Sequence, residues 1–264
     1  MLLVVHMTQH AVVGGPWRSF HSKFVIEERY LPRATRARLY TVSAVMVAVG
    51  LTAFIFLLVG VVTHSGFELL DAPVEKWFDA QRNADATEFM IIVAIVFGPI
   101  AMPIIVAVVT VVWIIAAKHA WRPILLAGGM ATGVIISQVI APLVKHPRPP
   151  IDLMLFGPDQ SYSFPSGHVL GASDFFLLMA FLLASRRQQN GFTIAAFIVA
   201  ALGIGLQVVS RLYLGYHWIS DTTSSVALSL VVVGVVIAID TRRTVLVRGE
   251  RVDAGHSQLQ VDGT

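Results

Sequence analysis

Long apolar runs broken by short polar knots dominate this chain. A membrane span needs roughly 20 mainly apolar residues, at ~1.5 Å each across a ~30 Å hydrocarbon core. Six segments meet that requirement: Leu39–Thr63, Phe89–Ala116, Ile124–Val144, Val169–Ser185, Phe192–Leu214 and Thr222–Ile239. The fourth is the shortest and carries Asp174. The pattern predicts an all-α protein, a bundle of six transmembrane helices.

The connections between these runs sort by charge. With both termini on one side, that side holds the N-terminal segment, Lys118–Arg122, Arg186–Asn190 and the C-terminal segment. Of the 19 Lys and Arg residues, only Lys76, Arg82, Lys145, Arg148 and Arg211 fall on the other side. Short basic loops remain cytoplasmic, so both termini are expected inside. The polar knots around Lys145, Ser166 and Arg211 then share the outer face. Residues 1–38 are expected as a cytoplasmic leader, 39–240 as the membrane domain, and 241–264 as a polar, disordered cytoplasmic tail. The run Met1–Val5 is too short for a signal-peptide core, which takes ~7–15 apolar residues. In the first outer loop, Glu68–Glu88, the spacing of Leu69, Leu70, Val74, Trp77 and Phe78 predicts a short amphipathic helix at the interface.

Composition agrees. Hydrophobic residues make up 56% of the chain and charged ones 13%, against ~25% charged in soluble domains. The absence of cysteine excludes disulfides and thiolate metal sites. No basic face or RNA-binding signature points to nucleic acid, and no Walker or dinucleotide motif appears.

Three clusters carry chemistry. In Ser210–Asp221, His217 and Asp221 stand four apart, on one helical face. A carboxylate on one imidazole nitrogen leaves the other unprotonated and aimed. His217 is thereby a candidate nucleophile toward phosphorus, with Arg211 offering a planar fork of donors. The alternative is an interfacial His capped by Asp, with Arg211 snorkelling. In Ser163–His168, Ser166 can cap a helix, Gly167 admits close backbone approach and His168 can protonate a leaving oxygen. The alternative is an ordinary capped helix start. In Lys145–Pro149, prolines hold Arg148 in an extended stretch. Alone, it could be a membrane anchor.

Together these clusters resemble the type-2 phosphatidic acid phosphatases, membrane relatives of the vanadium haloperoxidases and bacterial acid phosphatases. That family's pattern is Lys-x6-Arg-Pro, then Pro-Ser-Gly-His, then Ser-Arg-x5-His-x3-Asp. Arg148-Pro149 matches the end of the first motif, Pro165 through His168 the second, and Ser210, Arg211, His217 and Asp221 the third. The likeness spans roughly residues 67–240. It implies a metal- and cofactor-independent lipid-phosphate phosphatase in the plasma (inner) membrane, with its site on the outer face. His217 would attack phosphorus to give a phosphohistidine, Asp221 would orient it, and His168 would protonate the leaving oxygen. Arg148, Ser166, Gly167, Arg211 and Lys145 would hold the phosphate. The substrate would be polyprenyl pyrophosphate (undecaprenyl or a relative), phosphatidic acid or phosphatidylglycerol phosphate. The rivals are a phosphotransferase using the same phosphohistidine, and a non-catalytic lipid binder or transporter on the same scaffold.

One position departs from the pattern. The first-motif lysine falls on Ala141, and Lys145 is the one local substitute. Asp174 is expected either to support His168 or a nearby arginine, or to bond within the bundle. Gln138 and Gln207 read as interhelical hydrogen bonders, and Gly128, Gly129, Gly203 and Gly205 as close helix contacts. His64 and His119 read as interfacial residues.

Overall fold

A computed structural model describes residues 33–117, 120–187 and 189–243 of the chain. Its helices are α1 (Arg33–Thr63), α2 (Asp71–Asp79), α3 (Ala84–Val96), α4 (Ala101–Ala117), α5 (Trp121–Val144), α6 (Gly167–Arg187), α7 (Asn190–Tyr213) and α8 (Ile219–Arg243). Short 3-10 turns occupy Gly66–Leu70 and Ile151–Leu153. No strand occurs among the described residues.

Among the described residues five helices, α1, α5, α6, α7 and α8, are long and apolar enough to cross a membrane. The expected span Phe89–Ala116 is not one rod. It is α3 and α4, bent by 53°, and counting the pair as a single broken span makes up to six. The break falls at Gly98-Pro99, where Pro has no N–H to continue the ladder. Gly98 N–H turns back to Ile95 O at 3.1 Å, and Met102 N–H restarts the helix on Gly98 O at 3.0 Å.

Helix α6 is the hub, packed against α5, α7 and α8, with α1 lying along α8. Leu170, Leu178 and Leu182 on α6 are completely buried. Lipid tails are as apolar as leucine, so membrane helices associate through close packing at small residues. Gly129 meets Leu178, and Gly203 meets the Phe176 ring; a Cβ at either would sit 2.5 Å from its neighbour. Gly234 lets α1 approach α8, and Ser43 Oγ donates to its carbonyl at 2.7 Å. Gly128 and Gly205, expected to be contacts of this kind, face away from neighbouring helices: a Cβ at either would meet no heavy atom within 4 Å. The outward flanks of α4 and α7 expose large apolar residues, Ile115 and Leu202 among them. With this pattern, the protein is an integral membrane protein.

Helix α1 starts at Arg33 rather than Leu39, and α8 runs on to Arg243. The rest of the expected leader and tail, and His119, lie outside the described residues. Within the first outer loop, α2 spans Asp71–Asp79, with Trp77 exposed on it and Leu69 and Leu70 exposed in the turn before it. His64 is exposed and pairs with Glu68 at 3.3 Å.

Candidate active site

The three polar clusters meet at one end of the bundle. The segment after α5 folds onto the turn between α7 and α8: Trp218 Nε1 donates to Pro147 O at 2.8 Å, and Leu155 N–H to Leu214 O at 3.1 Å. That turn needs Gly215, whose φ of 73° and contact with Leu153 O leave no room for a side chain. Ser163 N–H donates to His146 O at 2.8 Å, which ties the second cluster to the first.

His217 sits just before α8 and Asp221 in its first turn; both are buried. Asp221 Oδ2 accepts from Trp218 N–H at 2.8 Å, an acidic group where the helix start favours one. Ser163 Oγ donates to the same oxygen, and His217 Nδ1 stands 3.4 Å from it. The other oxygen, Oδ1, lies 2.9 Å from His146 Nδ1. Ser163 Oγ also lies 3.4 Å from His217 Nδ1, and with its own proton given to Asp221 it can only accept, as the carboxylate does, so His217 carries its proton on Nδ1. On its far side, Nε2 lies 3.1 Å from Arg148 Nη1, which only donates. Nε2 is therefore the unprotonated nitrogen, its lone pair accepting from Arg148. Burial, with Arg148 and Arg211 beside it, outweighs the pull of Asp221 and pushes the His217 pKa down to about 4.

Arg148 is fully engaged. Nε donates to Ser161 O at 3.1 Å, Nη1 also to Tyr216 O at 2.7 Å, and Nη2 to Ser161 Oγ at 2.9 Å and Asp159 at 3.0 Å. Asp159 thus takes up one edge of the guanidinium. Two bonds from Ser161, together with Arg148, overcome its burial and hold its pKa below the usual carboxylate range.

His168 lies in the first turn of α6, with Nε2 3.6 Å from where a Cβ on Gly98 would stand. The break between α3 and α4 thus abuts His168. Ser166 is completely buried and caps α6, its Oγ 3.5 Å from Val169 N. Arg211 is 4% exposed, with its guanidinium 4.4 Å from the centre of the Tyr216 ring and its Nε without a hydrogen-bond partner.

A cavity of about 1010 Å³ opens on this cluster. Arg148, Asp159, Gly167, His168 and His217 line one end. From there it runs between α4 and α5, past Met102, Val106 and Thr110 on one wall and Ala141, Val134 and Ala127 on the other. Asp221, Ser166 and Arg211 lie behind the wall rather than on it.

Lys145 does not join the group. It caps α5 in a left-handed conformation, φ 55°, and is exposed rather than on the cavity wall. The helix ends at Val144, so Lys145 leaves the face that Ala141 and Gln138 present to the cavity. Gln138 lines that wall instead of bridging helices. Gln207, expected to bond between helices, is buried with neither amide atom hydrogen-bonded, and the buried Asp174 carboxylate makes no hydrogen bond to His168 or an arginine but fills the space left by Gly133.

Sequence reasoning assigned no role to Ser163, His146 or Asp159. Ser163 and His146 were in view beside matched motifs, but nothing in their spacing marks Asp221 as their partner. The Gly98-Pro99 dipeptide was the available signal for the break.

The PAP2 superfamily model matches residues 122–244. The matched stretch runs from α5 to the end of α8 and contains every motif residue named above. The chain is 26% identical, over 131 residues, to phosphatidylglycerophosphatase B of Bacillus subtilis strain 168. That alignment takes in 47% of this chain and 61% of the relative's length. The fold is similar to the crystal structure of a transmembrane PAP2 type phosphatidylglycerolphosphate phosphatase from Bacillus subtilis, with a TM-score of 0.66 and 20% identity, over 76% of this chain and 99% of that one.

Proposed function

We propose that the protein is a metal-independent phosphatase of membrane lipid phosphates, working through a phosphohistidine. One observation carries the reading: an unprotonated, aimed His217 Nε2 stands at the polar end of a cavity whose remainder is an apolar groove. From Ala141 to Ala127 that groove follows α5 for roughly 20 Å, at ~1.5 Å per residue. Its depth suits an acyl or prenyl chain whose phosphate stays at the bilayer surface.

The chemistry follows from the positions. His217 Nε2 attacks phosphorus, a P–N bond forms and the P–O bond to the lipid breaks. His168 gives its proton to the departing oxygen, then takes one from the water that releases phosphate. Asp221 holds the Nδ1 proton and balances the positive charge of the phosphorylated ring. Arg148, with backbone N–H groups at the start of α6, receives the charge that builds on the phosphoryl oxygens, and Arg211 adds positive charge from behind the wall. Arg148 does so by exchanging Asp159 for phosphate. Phosphatidylglycerol phosphate, phosphatidic acid and polyprenyl pyrophosphate all match a phosphate on a long apolar tail. The positive-inside distribution of charge supports an outward-facing site, with α2 lying at that interface.

A second reading, a lipid-phosphate binder without turnover, draws on Ala141, which leaves the cavity wall without the first-motif cation. Purified protein in detergent with EDTA, offered each lipid phosphate in turn, separates the two. Release of inorganic phosphate that His217→Ala abolishes supports the phosphatase; binding without release by the wild type supports the binder.

A further inference from the structure

Behind His217 lies a second imidazole that the proposed chemistry does not use. His146 Nδ1 is 2.9 Å from Asp221 Oδ1, with side-chain exposures of 5% and 0%. A ring nitrogen of His146 and carboxylate oxygens of Glu68 and Asp71 lie within 4.8 Å of one another. Asp71 is itself anchored, accepting from Ser220 N–H at 2.9 Å and Ser220 Oγ at 2.6 Å, next to Asp221 in the chain. The Phe164 ring stands edge-on to the imidazole at 6.5 Å, and the Trp218 ring is tilted toward it at the same distance. His146 is thus flanked by two aromatic rings and by carboxylates on α2, α8 and the turn before α2.

The two oxygens of Asp221 are unequally loaded. Oδ2 already receives Ser163 Oγ and Trp218 N–H, and His217 reaches it only at 3.4 Å. Oδ1 is held by His146. A carboxylate free at Oδ1 can rotate, and a small rotation breaks a contact already that long.

We propose that His146 is a positioning residue for His217: by fixing Oδ1 of Asp221 it keeps Oδ2 aimed at His217 Nδ1, and with Asp71 and Glu68 it braces that pair from outside the bundle. The proposal rests on the phosphohistidine reading. Charge enters as well. His146 faces Asp221 on α8, Asp71 on α2 and Glu68 on the preceding turn. Burial works to lower its pKa, but these carboxylates outweigh it and lift it above the ordinary histidine value. A cation on Oδ1 weakens the hold of Asp221 on the His217 proton, which helps keep His217 neutral.

The test uses His146→Asn and His146→Gln, with release of phosphate from dioctanoyl phosphatidic acid in micelles followed across pH. An Asn amide nitrogen falls near the Nδ1 position, so it keeps the donor and removes the charge. Gln carries its amide out to the Nε2 position and removes the donor. For Asn the expectation is a kcat within about threefold of wild type, with the acid limb of kcat/KM moved up by roughly one pH unit. For Gln it is a kcat lower by roughly tenfold or more, with KM within about twofold. Equal kcat in the two variants, or an acid limb that stays put in Asn, overturns the proposal. Loss of wild-type release, or its survival in His217→Ala, removes the underlying reading instead. Wild-type turnover that depends on His217 beside unaltered His146 variants removes the His146 proposal alone.

Discussion

Nη1 of Arg148 lies 3.1 Å from Nε2 of His217. Because a guanidinium has no lone pair to offer, this contact determines which imidazole nitrogen is unprotonated. Asp221 gives the same answer from the other side of the ring. The tautomer of His217 is thus set by its neighbours on both sides of the ring.

Arg148→Lys should therefore do more than weaken phosphate binding. Lysine keeps the charge but loses the planar fork that reaches His217, Tyr216, Ser161 and Asp159 together. Removing a preorganised donor of this kind costs roughly 10²–10³ in rate. Steady-state assays should show a fall of at least about 100-fold in kcat/KM, with kcat reduced as well as KM raised.

The pH profile has a defined sign. In the proposed mechanism His217 attacks only when neutral, and burial lowers its pKa to about 4. Since kcat/KM reports groups of the free enzyme, the His217 limb should lie near pH 4, not near the ordinary histidine value. Above it this group stays active; below it activity falls about tenfold per pH unit. Measured kcat/KM for the wild type against pH tests this directly.

Asp159 pairs with Arg148 at 3.0 Å, and on the proposed reading a phosphate must displace it. Asp159→Asn removes the competing charge and leaves the size unchanged. KM for a lipid phosphate should drop by roughly three- to tenfold, as expected for losing one charge-assisted bond of ~1 kcal/mol net. An unchanged KM would mean that the pair opens without cost.

The fold was largely legible in the apolar runs, since a span's length follows from bilayer thickness whatever its neighbours. The break at Gly98-Pro99 was harder to read, because hydropathy continues unbroken through it. The motif residues His217, Asp221, Arg148, Gly167 and His168 announced themselves by spacing and do gather at one end of the bundle. Lys145 misled because distance along the chain says nothing about the direction of a residue that ends a helix in the left-handed region. Asp159, Ser163 and His146 act through contacts made by loop closure, which no local pattern encodes.

Ala141 lines the cavity where the resemblance puts a lysine. Ala141→Lys should place an ammonium beside the phosphate end and raise kcat/KM. The expected gain is about fivefold, from ~1 kcal/mol left after desolvation. A parallel Lys145→Ala variant should stay within about twofold of wild type, since that side chain is exposed away from the wall.

The central claim is that phosphorus becomes bonded to His217. Radiolabelled phosphatidic acid mixed with purified protein and quenched in alkali, where phosphohistidine survives and acyl phosphate does not, tests it most directly. The account predicts label that maps to the peptide carrying His217 and is absent from His217→Ala. Phosphate release by a wild type that never carries label, or label that persists in His217→Ala, would contradict it.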